Sequence, residues 1–211
     1  MRRALGLVAA MAVLSGCSVV QYFEPEPRPT AQEGAWNEAR QRATRSGKIY
    51  DALGTNAFVG AVYQAPDIRE ARVERLATWA AMTAEERERL LAAEREEAAR
   101  YDTFLVSLFT PDRGDNDLDS RSSIWRVALV VPGEGEALPE SVSIVRVDST
   151  LKALYPNVDR NFAIVYRVRF ARWTPPIAGR AFILRLAGAK GRLDLDFGRP
   201  PTEEPPPMPQ P

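Results

Sequence analysis

"FILRLAGAKGRLDLDF", residues 182–197, carries the strongest structural signal in the chain. Two runs of alternating apolar residues, Phe182, Leu184 and Leu186, then Leu193, Leu195 and Phe197, flank the short connection Gly188-Ala189-Lys190-Gly191. A period of two marks a strand with one buried face. Two such runs around a tight, glycine-bearing connection predict an antiparallel hairpin, with Gly188 and Gly191 expected to supply unusual backbone angles. Arg185, Asp194 and Asp196 take outward positions between the apolar ones. A ribbon that is apolar on one side and charged on the other must lay its apolar side against a second layer.

The same period recurs upstream. It runs through Phe162, Ile164, Tyr166, Val168 and Phe170, through Val142 and Ile144, through Trp125, Val127, Leu129 and Val131, and through Phe104, Val106 and Leu108. Six short strands with turn signals between them predict an antiparallel β-sandwich over residues 102–198, loosely immunoglobulin-like. The Cys–Trp–Cys core of antibody-type domains is absent. "STLKALYP", residues 149–156, reads as a short helix or turn between strands.

Before Tyr101 the period is closer to four, and residues 31–101 read as a helical region, which makes the fold class α+β. A first helix is expected from Ala31 to Arg45, ending near Ser46-Gly47. Residues 49–63 read as helical too, with "AFVGAVY" (57–63) as a possible strand. Asp67, after Pro66, is expected to cap a helix carrying Val73, Leu76, Ala77 and Ala80, with Trp79 near the edge of that stripe. Thr83 and Glu86 form a capping-box pattern for a helix over 84–101. Glu85 with Arg89, and Glu96 with Arg100, mark its solvated face. Leu90, Leu91, Ala98 and Tyr101 form its inner side.

The amino end is of a different kind. Arg2 and Arg3 precede an uncharged apolar run, Ala4 to Leu14, which is too short to span a bilayer at ~20 residues per crossing. Ser15 and Gly16 lead to Cys17, the only cysteine. This layout is that of a secretory leader. Leu14-Ser15-Gly16-Cys17 resembles the lipobox of bacterial lipoproteins at all four positions. The resemblance implies that residues 1–16 are a cleaved signal peptide and that the Cys17 sulfur carries a diacylglyceryl group. It covers the leader alone; the remainder resembles uncharacterised envelope lipoproteins only in general layout. Residue 18 is Ser rather than Asp, which by the same resemblance favours the outer over the inner membrane. Residues 17–30, with "FEPEPRPT" at 23–30, then read as a lipidated cysteine and an extended proline-rich tether. The tail 199–211, "RPPTEEPPPMPQP", reads as disordered.

Composition excludes several chemistries. The chain has 28 basic and 28 acidic residues and no long basic run, so nucleic acid is not an expected partner. It has no histidine, which removes Ser-His-Asp and Cys-His catalysis as usually built and the common zinc sites. Once Cys17 is lipidated no thiol remains, so the covalent lipid is the only expected attached group.

Three polar groupings stand out. The loop "PDRGDNDLDSRSS" (111–123) places Asp112, Asp115, Asp117 and Asp119 close together as possible calcium ligands, and Asp115, Asp117 and Asp119 fit the first three ligand positions of an EF-hand loop. Ser120 and Arg126 stand where that loop needs its glycine and its closing glutamate, so a plain polar turn is the preferred reading. Glu94 falls near the apolar side of its helix, with Arg87 as its nearest candidate partner. Arg126, Arg146, Arg167, Arg169 and Arg185 lie at outward or strand-end positions. They form either a basic stripe for an anionic glycan or lipid head group or, preferably, cross-strand ion pairs with Asp194 and Asp196. Trp36, Trp79, Trp125 and Trp173 are expected as core or interface anchors, Trp173 being the most exposed.

No catalytic residue is assigned. The expected role is that of a lipid-anchored, non-catalytic envelope protein that works through contacts with another envelope protein. The alternatives are a hydrolase of an envelope polymer with two facing carboxylates, or a calcium-stiffened binding module.

Overall fold

The computed structural model describes residues 31–51, 54–156 and 163–198. The leader, Cys17, the tether and the tail lie outside these residues. Helix α1 (Ala31–Ala43) leads into strands β1 (Thr44–Asp51) and β2 (Gly54–Tyr63). Helices α2 (Pro66–Trp79) and α3 (Ala84–Arg100) follow, then β3 (Tyr101–Phe109), β4 (Trp125–Val131), β5 (Gly135–Ala137) and β6 (Ser141–Ile144). A short helix α4 (Ser149–Leu154), capped by the Asp148 carboxylate, precedes β7 (Ile164–Ala171), β8 (Ile183–Gly188) and β9 (Gly191–Asp196).

The strands form two antiparallel sheets in a sandwich-like α+β fold. One runs β1-β2-β3-β7-β6 and the other β5-β4-β8-β9. Eight of these strands, β2-β3-β7-β6 facing β5-β4-β8-β9, follow the A-B-E-D against C′-C-F-G order of immunoglobulin-type sandwiches. β1 extends the first sheet by one strand. Helices α2 and α3 occupy the connection between β2 and β3, which is the A–B connection of that order.

The core lies between the sheets. Phe104, Val106 and Leu108 from β3 and Tyr166, Val168 and Phe170 from β7 meet Val127, Leu129, Leu184 and Leu186 from the opposite sheet. Tyr63, Phe104, Phe182 and Phe197 form an aromatic cluster at one end, with Phe182 and Phe197 stacked at 4.8 Å. The alternate residues of the same strands point the other way. Val62, Leu105 and Val165 join Trp36, Ile68, Leu154 and Tyr155 in a second cluster under the helices. β3 is therefore buried on both faces, and the molecule has three layers.

The expectation of a helix over residues 49–63 is overturned, and its alternative, a strand over residues 57–63, is present within β2. These residues belong to the β1–β2 hairpin, with Lys48 opposite Phe58 and Ser46 opposite Gly60. Ala57, Val59, Ala61 and Tyr63 turn inward at every second position, so the governing period was two. Gly54 and Gly60 would each cost ~1 kcal/mol inside a helix. Gly47 has a packing reason: a Cβ there would stand 2.7 Å from Leu193 Cδ1. The helical region expected over 31–101 is thus interrupted by two strands of the sandwich, α1 ends at Ala43 rather than Arg45, and Tyr101 opens β3.

Asp67 does not cap α2. Ala65 is the N-cap, without a side-chain bond, and Pro66 opens the helix. Asp67 sits in the first turn, where a negative charge suits the helix dipole, and meets Arg42 at 3.6 Å. The Thr83–Glu86 capping box is present in both directions. In the β8–β9 hairpin, Gly191 has φ +127. Gly188 is required for space, since a Cβ would stand 2.1 Å from the Ile124 carbonyl oxygen.

Candidate functional site

The outer face of the first sheet is only partly covered by helices. Where cover ends, a cleft of about 360 Å³ opens between α2, α3 and β7, with Val145 and Leu151 on its far wall. Arg69 and Arg72 descend from α2 and Glu94 and Glu97 from α3, each pair three positions apart and so on one helix face. Arg167 and Arg169 rise from β7, where they stand opposite Leu105 and Thr103 of β3. α2 is held in place by Ile68 and Val73, both fully buried.

The polar contacts fall into two groups. Glu94 Oε2 accepts from Arg69 Nη1 at 2.6 Å and lies 2.5 Å from Arg72 Nη2. Arg69 Nε also donates to the Gln64 carbonyl at 2.7 Å. Arg72 Nη1 donates to Gln64 Oε1 and, at 3.2 Å, to the Tyr155 hydroxyl, which itself donates to Gln64 Oε1 at 3.1 Å. In the second group Arg169 grips Glu97 through Nε (2.8 Å) and Nη2 (3.3 Å), and Thr103 Oγ1 donates to Glu97 Oε1 at 3.3 Å.

The charges do not balance. Four guanidiniums face two carboxylates. The Arg167 side chain is accessible to water, and its guanidinium has no hydrogen-bond or ion-pair partner among the described residues. Arg69 Nη2 is buried without an acceptor. Partial burial pushes the Arg167 guanidinium below its ordinary value and the neighbouring Arg169 pushes it further, while the charges of Glu97 and Glu94 offset part of the shift. Burial also works against the charge on Arg72, but Tyr155 and then Glu94 outweigh it, so Arg72 is raised. For Glu97, burial favours the neutral acid, whereas the hydrogen bonds and charge of Arg169 together hold the carboxyl below the usual range.

This arrangement leaves the cleft with an excess of positive charge. An unpaired guanidinium beside a second one is costly in a partly desolvated site, and an incoming oxyanion relieves both. Acid catalysis fits it poorly. A general acid needs a raised pKa, and Glu97 is shifted the opposite way.

The residues singled out from the sequence are distributed as follows. Glu94 is in the cleft, but its partners are Arg69 and Arg72; Arg87 pairs instead with Glu74 of α2. The five arginines separate. Arg167 and Arg169 enter the cleft, while Arg146 follows β6 and is exposed. On the second sheet Arg185 pairs with Asp194 at 2.9 Å and Arg126 with Glu136 at 2.7 Å, the cross-strand arrangement. Hydrogen bonds from Arg192 and Arg185 hold Asp194 well below the usual carboxylate range.

Asp112, Asp115, Asp117 and Asp119 do not converge. Asp112 accepts from Gly114 N at 2.8 Å, Asp115 pairs with Lys190 at 3.1 Å, and Asp117 accepts from Ser123 Oγ and Ile124 N. Asp119 acts through its charge on Tyr166, whose hydroxyl burial and then that charge push up to about 12. Among the described residues no three acidic, histidine or cysteine side chains group at metal-binding range. Trp125 packs in the core and donates from Nε1 to the Asp115 carbonyl at 2.6 Å, tying this loop down. Trp173 is half-buried against the core and donates to Glu134 at 2.7 Å, so Trp79, 43% exposed, is the exposed tryptophan.

Sequence reasoning missed Arg69, Arg72, Glu97, Gln64 and Tyr155. The one available signal was the repeat of charged residues three apart on both α2 and α3, which reads equally well as a solvated face. No family model, curated protein or solved structure matches the chain.

Proposed function

We propose that this protein is a lipid-anchored, non-catalytic component of a bacterial envelope that holds an acidic segment of a partner protein in the cleft of Arg69, Arg72, Arg167 and Arg169. The carrying observation is the unpaired Arg167 guanidinium in a cleft with two more arginines than carboxylates. Arginine presents a rigid fork that matches a carboxylate, and arginines in clefts are recurrent anchors of protein interfaces. Leu105, Val145 and Leu151 give the same cleft an apolar wall suited to the side chains flanking an acidic residue. The lipobox at residues 14–17 supports attachment through Cys17, cleavage of residues 1–16, and an outer-membrane location by virtue of Ser18.

Calorimetric titration of the intact protein with a tetraglutamate peptide tests the cleft. Saturable binding that weakens with added salt is expected. Arg167→Gln lowers the affinity about tenfold or more, the equivalent of one charge-assisted hydrogen bond. Binding that is unchanged by the substitution, or its absence at low salt, overturns the assignment. Intact mass of protein from native membranes tests the anchor independently.

A further inference from the structure

At the turn between α2 and α3 the chain reads Trp79-Ala80-Ala81-Met82, four residues without a charged side chain between two strongly charged helices. Trp79, Ala80 and Ala81 are exposed and Met82 is half-buried. The turn is closed by Met82 N donating to the Ala77 carbonyl at 2.9 Å. This places Ala81 at φ +48, a left-handed position that glycine would fill with less strain.

The direction in which the tip faces follows from the helix pair. Arg42 at the end of α1 meets Asp67 at the start of α2 at 3.6 Å. Glu33 at the start of α1 meets Arg75 near the end of α2 at 2.6 Å. The two helices are therefore antiparallel, and α1 begins beside the tip. Arg75 also lies over the Trp79 ring at 4.4 Å. The segment from Cys17 thus enters the domain at the end that carries Trp79. Its fourteen residues can reach at most ~50 Å.

We infer that Trp79–Met82 forms a second membrane contact, seated in the head-group region of the bilayer to which Cys17 is attached. This inference rests on the lipid-anchor reading. A four-residue tip is far smaller than the ~800 Å² per partner of a stable protein interface, so the surface suits partition better than docking. Tryptophan is the side chain most at home at the membrane–water boundary. Partition of so small a patch is weak for a free protein, but a tether raises the local concentration of bilayer enough to populate it. With the tip seated, the helical rise places Glu94 and Glu97 ~15–20 Å from the turn, which holds the arginine cleft clear of the lipid.

The test is tryptophan quenching in the native lipidated protein, reconstituted into phosphatidylcholine vesicles with acyl chains brominated near the head group. Trp36 and Trp125 are in the core and Trp173 is half-buried and held by Glu134, so Trp79 is the most accessible ring, and Trp79→Phe separates its signal from that of Trp173. Quenching is expected in the wild type and lost in Trp79→Phe, and Ala80→Glu reduces it while leaving Trp79 present. Quenching that is equal in the wild type and Trp79→Phe, or unaffected by Ala80→Glu, overturns the contact even where intact mass shows the lipid on Cys17. An unmodified Cys17 in the same native material overturns the anchor and the contact together.

Discussion

The two faces of the five-stranded sheet are built from the same strands and serve opposite ends. On β3 and β7 the even-numbered residues from Phe104 to Leu108 and from Tyr166 to Phe170 meet the second sheet and are sealed from water. The odd-numbered residues face helices that cover only part of the sheet. Leu105 and Val165 lie under that cover, and Arg167 and Arg169 lie where it ends. Sheet-on-sheet packing leaves no room for unpaired charge. Sheet-on-helix packing with a gap at one end does, because the guanidiniums keep a path to water. The difference teaches that a site can be placed on a fully used structural strand, provided that one face carries stability and the other is left open at one end.

Removing mass from each face tests this division most directly. Phe104→Ala opens a cavity that nothing fills and is expected to cost about 3–5 kcal/mol. Leu105→Ala, one residue along but beside the cleft, is expected near the lower limit for such a change, about 2 kcal/mol. Urea unfolding midpoints measure both; equal losses would mean that the outer face is as closed as the inner one.

Charge on the inner face should be far less forgiving than charge in the cleft. Asp102 is fully buried and accepts from the Tyr63 hydroxyl (2.8 Å), Arg172 Nη1 (2.7 Å) and Trp173 N (2.8 Å). Burial, and then the Asp102 charge, push the Tyr63 hydroxyl far above its ordinary value. Asp102→Asn keeps the shape but cannot satisfy all three donors, so a loss of about 2 kcal/mol is expected in the same urea series.

Acid should act on the outward pairs. Glu97 and Asp194 both titrate below their ordinary values in the folded state. Each therefore contributes stability that is complete above the unfolded carboxylate pKa of about 4 and is lost as pH falls through the lower folded value. Unfolding midpoints should be flat from neutral pH to about 5 and decline below that. Glu97→Gln should make the decline shallower; an unchanged slope would show that the Arg169–Glu97 pair contributes nothing.

The smallest expected effect on stability comes from Arg167→Gln. With no partner to lose and Arg169 alongside, it should shift stability by no more than about 0.5 kcal/mol while lowering acidic-peptide affinity. A large destabilisation would make Arg167 a structural residue and end the contrast between the faces.

Much of the fold was readable along the chain. The β8–β9 hairpin, the β3, β4, β6 and β7 alternations, the capping box at Thr83 and the short helix after Asp148 all depend on local patterns, and all are present. Of the β1–β2 hairpin only a possible strand over residues 57–63 was legible, because its small residues, Gly47, Ala57, Gly60 and Ala61, weaken the contrast on which a period is read. β5, three residues long, is too short to show one. Of the cleft, only Glu94, Arg167 and Arg169 were noticed, and in separate groupings with other partners.

What the sequence determined by itself was the direction of each side chain. Pleat and helical pitch are local, so alternation assigns Val106 and Val168 to one face and Leu105 and Arg167 to the other before any contact is made. What only the tertiary structure decided was which groups meet. Arg69, Glu94 and Arg169 lie far apart in the chain. They converge because two helices lie between β2 and β3 and because β7 pairs with the sequence-distant β3 as well as with its neighbour β6. Such encounters are governed by long-range packing, and no local run of residues encodes them.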